Sequence, residues 1–161
     1  MKKSLTVLAA FILSVSMFAG CGFAELTGEI DGGYVAFTAK DGWFVDLIEG
    51  DEGEQQYTLK HPTLERPADV FNPYVMIRPL FGTPKALADH DASFDGRELL
   101  DDVTIGDVTY HVVQISTERL ELYTHLDSDF LDHTANVVMF GYSIEQVKPV
   151  LETIVWKMIM K

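Results

Sequence analysis

Arg119-Leu120-Glu121-Leu122-Tyr123-Thr124-His125-Leu126 is the stretch whose reading decides the fold of this chain. In an extended segment, Leu120, Leu122 and Leu126 fall on one face, and Arg119, Glu121, Tyr123 and His125 on the other. Period two with one apolar and one polar face is the pattern of a half-buried strand in an antiparallel sheet. Working outward, Thr109 to Ile115 predicts the strand before it, entered through a turn at Gly106-Asp107. Ala135 to Tyr142 predicts the strand after it, which completes a meander. Ser143 then reads as a helix N-cap, with Gln146 at capping-box spacing. Ile144, Val147, Val150, Leu151, Ile154 and Val155 make one helical stripe. Pro149 interrupts that stripe, and an interior proline costs a helix about 3 kcal/mol. Either the first turn is separate, or Pro149 lies early enough to be tolerated.

Upstream, Tyr34 to Ala39 and Trp43 to Ile48 flank Lys40-Asp41-Gly42. Asp-Gly between apolar runs predicts a hairpin. An acidic loop, Glu49 to Gln55, leads to a strand in which Tyr57 and Leu59 alternate with Gln56, Thr58 and Lys60. Leu64 to Asn72 is irregular, among the breakers Pro62, Pro67 and Pro73. Tyr74 to Arg78 predicts a strand stopped by Pro79. Thr83 as N-cap and Pro84 at N1 open a helix through about His90. Asp91 to Asp102 is weakly patterned and reads as a loop, with a helical turn around Arg97 to Leu100. Antiparallel strands with one middle and one terminal helix give an α+β fold, the helices covering sheet faces.

The start of the chain has a different character. Lys2 and Lys3 precede a fourteen-residue apolar run, Leu5 to Phe18, broken only by Thr6, Ser14 and Ser16. A membrane-spanning helix needs about 20 apolar residues, whereas a secretory leader needs about 7–15 followed by small residues. Phe18-Ala19-Gly20-Cys21 resembles the lipoprotein signal box, with Phe18 in place of the usual Leu. That resemblance implies removal of residues 1–20 and acylation of Cys21. Its site of residence would be the cell membrane or outer membrane, facing the extracytoplasmic side. Gly22 stands where an inner-membrane retention signal has Asp, so an outer-membrane location is allowed. On this reading residues 21–33, with Gly22, Gly28, Gly32 and Gly33, form a lipidated tether, and residues 34–161 form one domain.

Composition narrows the function classes. The leader takes two of the 12 basic residues and none of the 25 acidic ones, which leaves a net charge of −15. Such a surface repels nucleic acid and anionic head groups and favours cationic partners or divalent ions. The chain has one cysteine. With Cys21 acylated, no disulfide, zinc-thiolate site or thiol nucleophile is expected. No phosphate loop, dinucleotide turn, HExxH or serine elbow is present, and no cofactor is expected.

In layout the chain resembles the PsbP-like proteins, a fold shared with the Ran-binding Mog protein. The features that carry it are Asp41-Gly42-Trp43, the strand ending Tyr74-Val75-Met76-Ile77, and the meander from Thr109 to Tyr142. The closing helix with Ile154-Val155-Trp156-Lys157 completes it. The resemblance covers residues 33–158. It implies an α/β/α sandwich around a curved antiparallel sheet, and an accessory or binding role.

The densest candidate cluster is His125, Asp127, Asp129, Asp132 and His133. In an extended segment His125, Asp127 and Asp129 point the same way. With His133 they offer oxygen and imidazole ligands for a divalent cation, and so a metal-dependent hydrolase. The spacing is not that of a calcium loop. Counted from Asp127, the sixth position is Asp132 where Gly is required, and the twelfth is Val138 where Glu is required. A polar loop between strands uses the same residue types for turn chemistry. Asp89, His90, Asp91 and Asp95 could support general-base chemistry or simply end a helix in solvent. Glu49, Asp51, Glu52 and Glu54 read as a solvated acidic loop. Three functions follow: a non-catalytic binding lipoprotein with an envelope partner, a hydrolase on the His125–His133 cluster, or a structural adhesin with a large apolar patch.

Overall fold

The computed structural model describes residues 26–51, 54–64, 70–128 and 131–159. The first strands are β1 (Gly28–Asp31), β2 (Val35–Ala39), β3 (Phe44–Glu49), β4 (Gln56–Lys60) and β5 (Tyr74–Phe81). Helix α1 (Pro84–Ala92) comes next, then β6 (Glu98–Ile105), β7 (Val108–Ser116), β8 (Arg119–Leu126) and β9 (His133–Phe140). Helix α2 (Ile144–Leu151) and β10 (Val155–Trp156) close the described chain. Seven strands form one sheet in the order β3-β4-β5-β9-β8-β7-β6, and β1-β2-β10 form a second. The pairs are antiparallel throughout, so the fold is sheet-rich α+β.

Register ties the large sheet into rows. Val45, Leu59, Val75, Met139, Leu120, Gln114 and Glu98 form one row across all seven strands. Leu26 extends this row by a bridge to Val45. This is the near end of the sheet. At the far end, Phe81, His133 and Leu126 form a second row.

Both faces of the large sheet are covered. On one face, α1 lies over β7 and β8, with Ala88, Val113 and Tyr123 buried between them. On the other, β2 and α2 enclose the main core, which includes Phe37, Tyr57, Ile77, Leu122, Val147 and Val150. Each fully buried side chain of this size contributes about 1.5–3 kcal/mol. Aromatic contacts lock the small sheet onto the large one. Tyr34 stacks on Trp156 at 6.4 Å and donates to the Ile77 carbonyl at 3.2 Å. Phe37 meets Tyr57 edge-on at 5.5 Å, and Trp156 Nε1 donates to the Tyr110 hydroxyl at 3.3 Å.

The helix starts follow the sequence. Thr83 Oγ1 accepts from Ala86 N, and Ser143 and Gln146 form a reciprocal capping box. Pro149 lies inside α2, and the helix ends two residues later at Leu151. So short a segment, with Val147, Val150 and Leu151 all buried, holds together by packing despite the missing hydrogen bond.

Five local expectations are corrected. Asp41-Gly42 does not close a hairpin: β2 pairs with β1 and β10, whereas β3 pairs with β4. The turn itself forms, with φ 56° at Asp41, φ 93° at Gly42 and Trp43 N donating to Lys40 O at 3.0 Å, but it carries the chain from one sheet to the other. Residues 28–31 are not tether but strand β1, because the edge of β2 offers them a ladder. Pro79 does not stop β5, which runs on to Phe81. The β4 ladder ends at Ile77, so beyond it β5 has a free side where a residue without an N–H is tolerated. Glu98–Ile105 is a strand, not a loop. It is an edge strand, exposed along most of its length, so burial leaves no alternation to read. Val155 and Trp156 leave the helix and form β10 against β2.

Candidate functional site

The middle of β8's polar face, Glu121 and Tyr123, is not solvated. Glu121 is 3% exposed, enclosed by the side chains described below, and Tyr123 is fully buried against Ala88 of α1. Cross-strand register sets Arg78 of β5 opposite Asn136 of β9, and Asn136 opposite Tyr123 of β8. A connected network results. Arg78 Nε donates to Asn136 Oδ1 at 2.8 Å, and Asn136 Nδ2 donates to Glu121 Oε2 at 3.3 Å and to the Leu122 carbonyl at 3.2 Å. The Arg78 guanidinium stands 3.7 Å from Glu121 Oε2, and Arg119 closes on Glu121 Oε1. The Tyr123 hydroxyl reaches Glu121 Oε2 at 2.8 Å and also bonds Asp91 of α1. Arg97 pairs with Asp91 at 3.4 Å and lies over the Phe94 ring.

The chemistry of this network follows from its inventory. Burial pushes the Tyr123 phenol well above its ordinary range, and the hydrogen bond to Asp91 and the charge of Glu121 push it the same way. Tyr123 is therefore a donor, not a base, and its single proton serves one carboxylate at a time. Glu121 spends its lone pairs on Arg119, Arg78, Tyr123 and Asn136. Asp91 links α1 to the sheet through Tyr123. The network clamps a helix onto a strand. At Arg78 it opens onto a shallow cleft of about 390 Å³, lined also by Glu49, Gly50, Glu54, Gln56, Pro79 and Leu80.

The cluster predicted around His125 is divided by the sheet. His125 pairs across to Thr134, and Leu126 to His133. His133 therefore shares the core face with Leu126, while His125 points to the opposite face. His125 Nε2 lies 3.1 Å from Asp127 Oδ1, both exposed. His133 is buried, with Nδ1 bonded to the Leu131 carbonyl at 2.8 Å and its ring against Phe81. Asp129 lies outside the described residues, as does Cys21. Among the described residues no three His, Cys, Asp or Glu side chains are placed to hold a metal ion. Of the expected ligand set His125, Asp127, Asp129 and His133, the structure brings His125 and Asp127 together and places His133 on the opposite face. That pair edges an open cleft of about 430 Å³ with Leu126, Ser128, Leu131, Asp132 and Met158.

The second predicted group separates too. Asp89 pairs with Lys85 at 2.7 Å, His90 packs on Phe94, and Asp91 joins the Tyr123 network. Elsewhere, His111 bonds Asp102 at 2.9 Å, and His61 bonds the Asp41 carbonyl at 2.8 Å while packing against Trp43.

Glu121, Tyr123, Asn136, Arg78 and Arg119 were not singled out from sequence. The available signal is on the neighbouring strand. Ala135 to Met139 runs almost without polar interruption, the mark of a strand buried on both faces. A strand beside it, such as β8, then has both faces at risk of burial.

No family model matches this chain, and no curated protein matches it. A solved structure of a protein from Bacteroides thetaiotaomicron VPI-5482 is similar, at 14% identity and a TM-score of 0.41, over 82% of this chain. The chain spans about half of that protein, 49% of its length. No described helix is long and apolar enough to cross a membrane.

Proposed function

We propose that this chain is a lipid-anchored domain of the bacterial envelope that works by binding another envelope component. The observation that carries the reading is the leader: a fourteen-residue apolar run behind Lys2 and Lys3, followed by Ala19-Gly20 and then the chain's one cysteine. Acylation there gives a durable hold, since each buried CH₂ contributes about 0.8 kcal/mol and more than one chain is needed for stable anchoring. The engagement of Glu121, Tyr123, Asp91, Arg78 and Arg119 with one another supports a structural use of the most chemically able side chains. A PsbP-like sandwich belongs to the same proposal. It is supported by a helix on each face of the large sheet.

Metabolic labelling with a palmitate analogue tests the anchor. The wild-type chain takes up label and sediments with membranes, and Cys21→Ala does neither. An unmodified Cys21 in the mature protein, read by mass spectrometry, refutes it. Crosslinking in intact cells tests the partner. A discrete adduct lost on competition with the purified domain supports binding, whereas a hydrolytic turnover abolished by Asp127→Asn refutes a non-catalytic role.

A further inference from the structure

We infer that the near end of the sheet is the membrane-facing surface of the domain, and that Phe71 is the side chain that touches the lipid. This inference rests on acylation of Cys21.

Phe71 is 90% exposed, the most exposed of the large apolar side chains described. It is not on a loose tip. Val70 before it is 4% exposed and packs against Gly141, just past the end of β9. Pro73 after it is buried against the same glycine, and Asn72 takes a left-handed φ of 61°. Gly141 itself has φ +74°, and a Cβ there would overlap both Val70 and Pro73. The chain thus anchors the residues on either side and presents one aromatic ring outward. A Phe held in water contributes nothing to the fold, and single aromatic rings are effective insertions at an interface.

The occupant is set by the length of chain between the fold and the lipid. Four residues separate Cys21 from Leu26, a reach of at most about 18 Å. Leu26 lies in the near-end row with Val45, Leu59 and Val75. The far-end row, at Phe81, is six residues further along β5, or about 20 Å away. The anchor therefore brings the bilayer to the near end and not to the far one. Phe71 precedes β5 at that near end, and Leu26 is itself 44% exposed there.

A bilayer satisfies tether and ring together, and the near end it meets carries both signs of charge, Lys40 and Lys60 beside Asp41, Glu98 and Glu118.

The test uses the acylated full chain on vesicles of phosphatidylcholine and phosphatidylglycerol, about three to one. Acylation occupies the native sulfur, so Phe71→Cys and Leu131→Cys each supply one reactive thiol, the second at the far end. Both sites are exposed, so labelling with an environment-sensitive fluorophore leaves the core untouched. The expected result is a blue-shifted probe at position 71, quenched by nitroxide-bearing lipid at least about threefold more strongly than at 131. Equal quenching at the two positions, with Cys21 acylated by mass spectrometry, overturns the orientation and leaves the anchor standing. An unacylated Cys21 removes both. Shielding at position 71 that persists without vesicles and grows with protein concentration assigns the surface to a second copy and overturns the lipid assignment.

Discussion

Replacing Glu121 by Ala should cost the fold about 2–3 kcal/mol, and the structure says why the figure is neither larger nor smaller. Removing one member of a fully buried charge cluster costs about 3–5 kcal/mol when the remaining charge is stranded. Here the strandings are incomplete. Arg78 and Arg119 keep 30% and 36% of their side-chain surface exposed, so both can swing toward water. Tyr123 keeps Asp91, and Asn136 keeps the Leu122 carbonyl. What is lost is the charge-assisted bonding at about 1.5–3 kcal/mol and the packing of the buried side-chain stem. Urea unfolding followed by near-ultraviolet circular dichroism measures it, with the midpoint falling at unchanged slope. In a domain of this size the melting temperature should drop by about 5–10 °C. Glu121→Gln, which keeps an acceptor for Arg119, should cost about half as much. A Glu121→Ala protein within about 0.5 kcal/mol of wild type would refute the clamp, because that is the range of an ordinary surface substitution.

Two further outcomes follow from the geometry. Gly42→Ala should destabilise by about 2 kcal/mol or more, because φ is +93° and the new Cβ would displace the His61 ring from Asp41 and Trp43; calorimetry reads it, and an unchanged melting temperature counts against it. Alkaline pH should unfold the domain. Burial raises the phenols of Tyr34, Tyr57, Tyr110 and Tyr123, so their stabilisation is full below pH 10 and falls above it by about 1.4 kcal/mol per pH unit for each tyrosine. Phenolate absorbance from these four should appear together with loss of structure, and titration of all six tyrosines in a folded protein would contradict it.

The sequence is most legible where local chemistry and tertiary structure agree. Thr83 and Ser143 cap helices because their hydroxyls reach backbone N–H groups three residues on, a purely local event. Tyr57 and Leu59 alternate because β4 is covered on the face they occupy. Legibility fails where a distant element changes the environment. Nothing within Arg119–Leu126 reveals that α1 will lie on Tyr123 or that Arg78 and Asn136 will enclose Glu121. Asp41-Gly42 carries a strong turn signal, but the signal fixes the turn and not the partner of either strand. Residues 28–31 look like spacer until β2 offers them an edge. The candidate site suffered most, since His125 and His133 are neighbours in sequence and are separated only by the alternation of two paired strands.

The outermost strand of the large sheet carries one last consequence. Among the described residues no strand pairs with the outer side of β6, which leaves its outer N–H and C=O groups without a ladder. An open edge of this kind invites a second molecule to zip onto it, and crowding on a two-dimensional film would sharpen that hazard. At the irregularity between Leu100 and Val103, Asp101 and Asp102 interrupt the ladder. A second copy lining up there would meet like charge at a kink. Neutralising the two as asparagines should promote self-association relative to the wild-type chain, visible as a concentration-dependent rise in scattering.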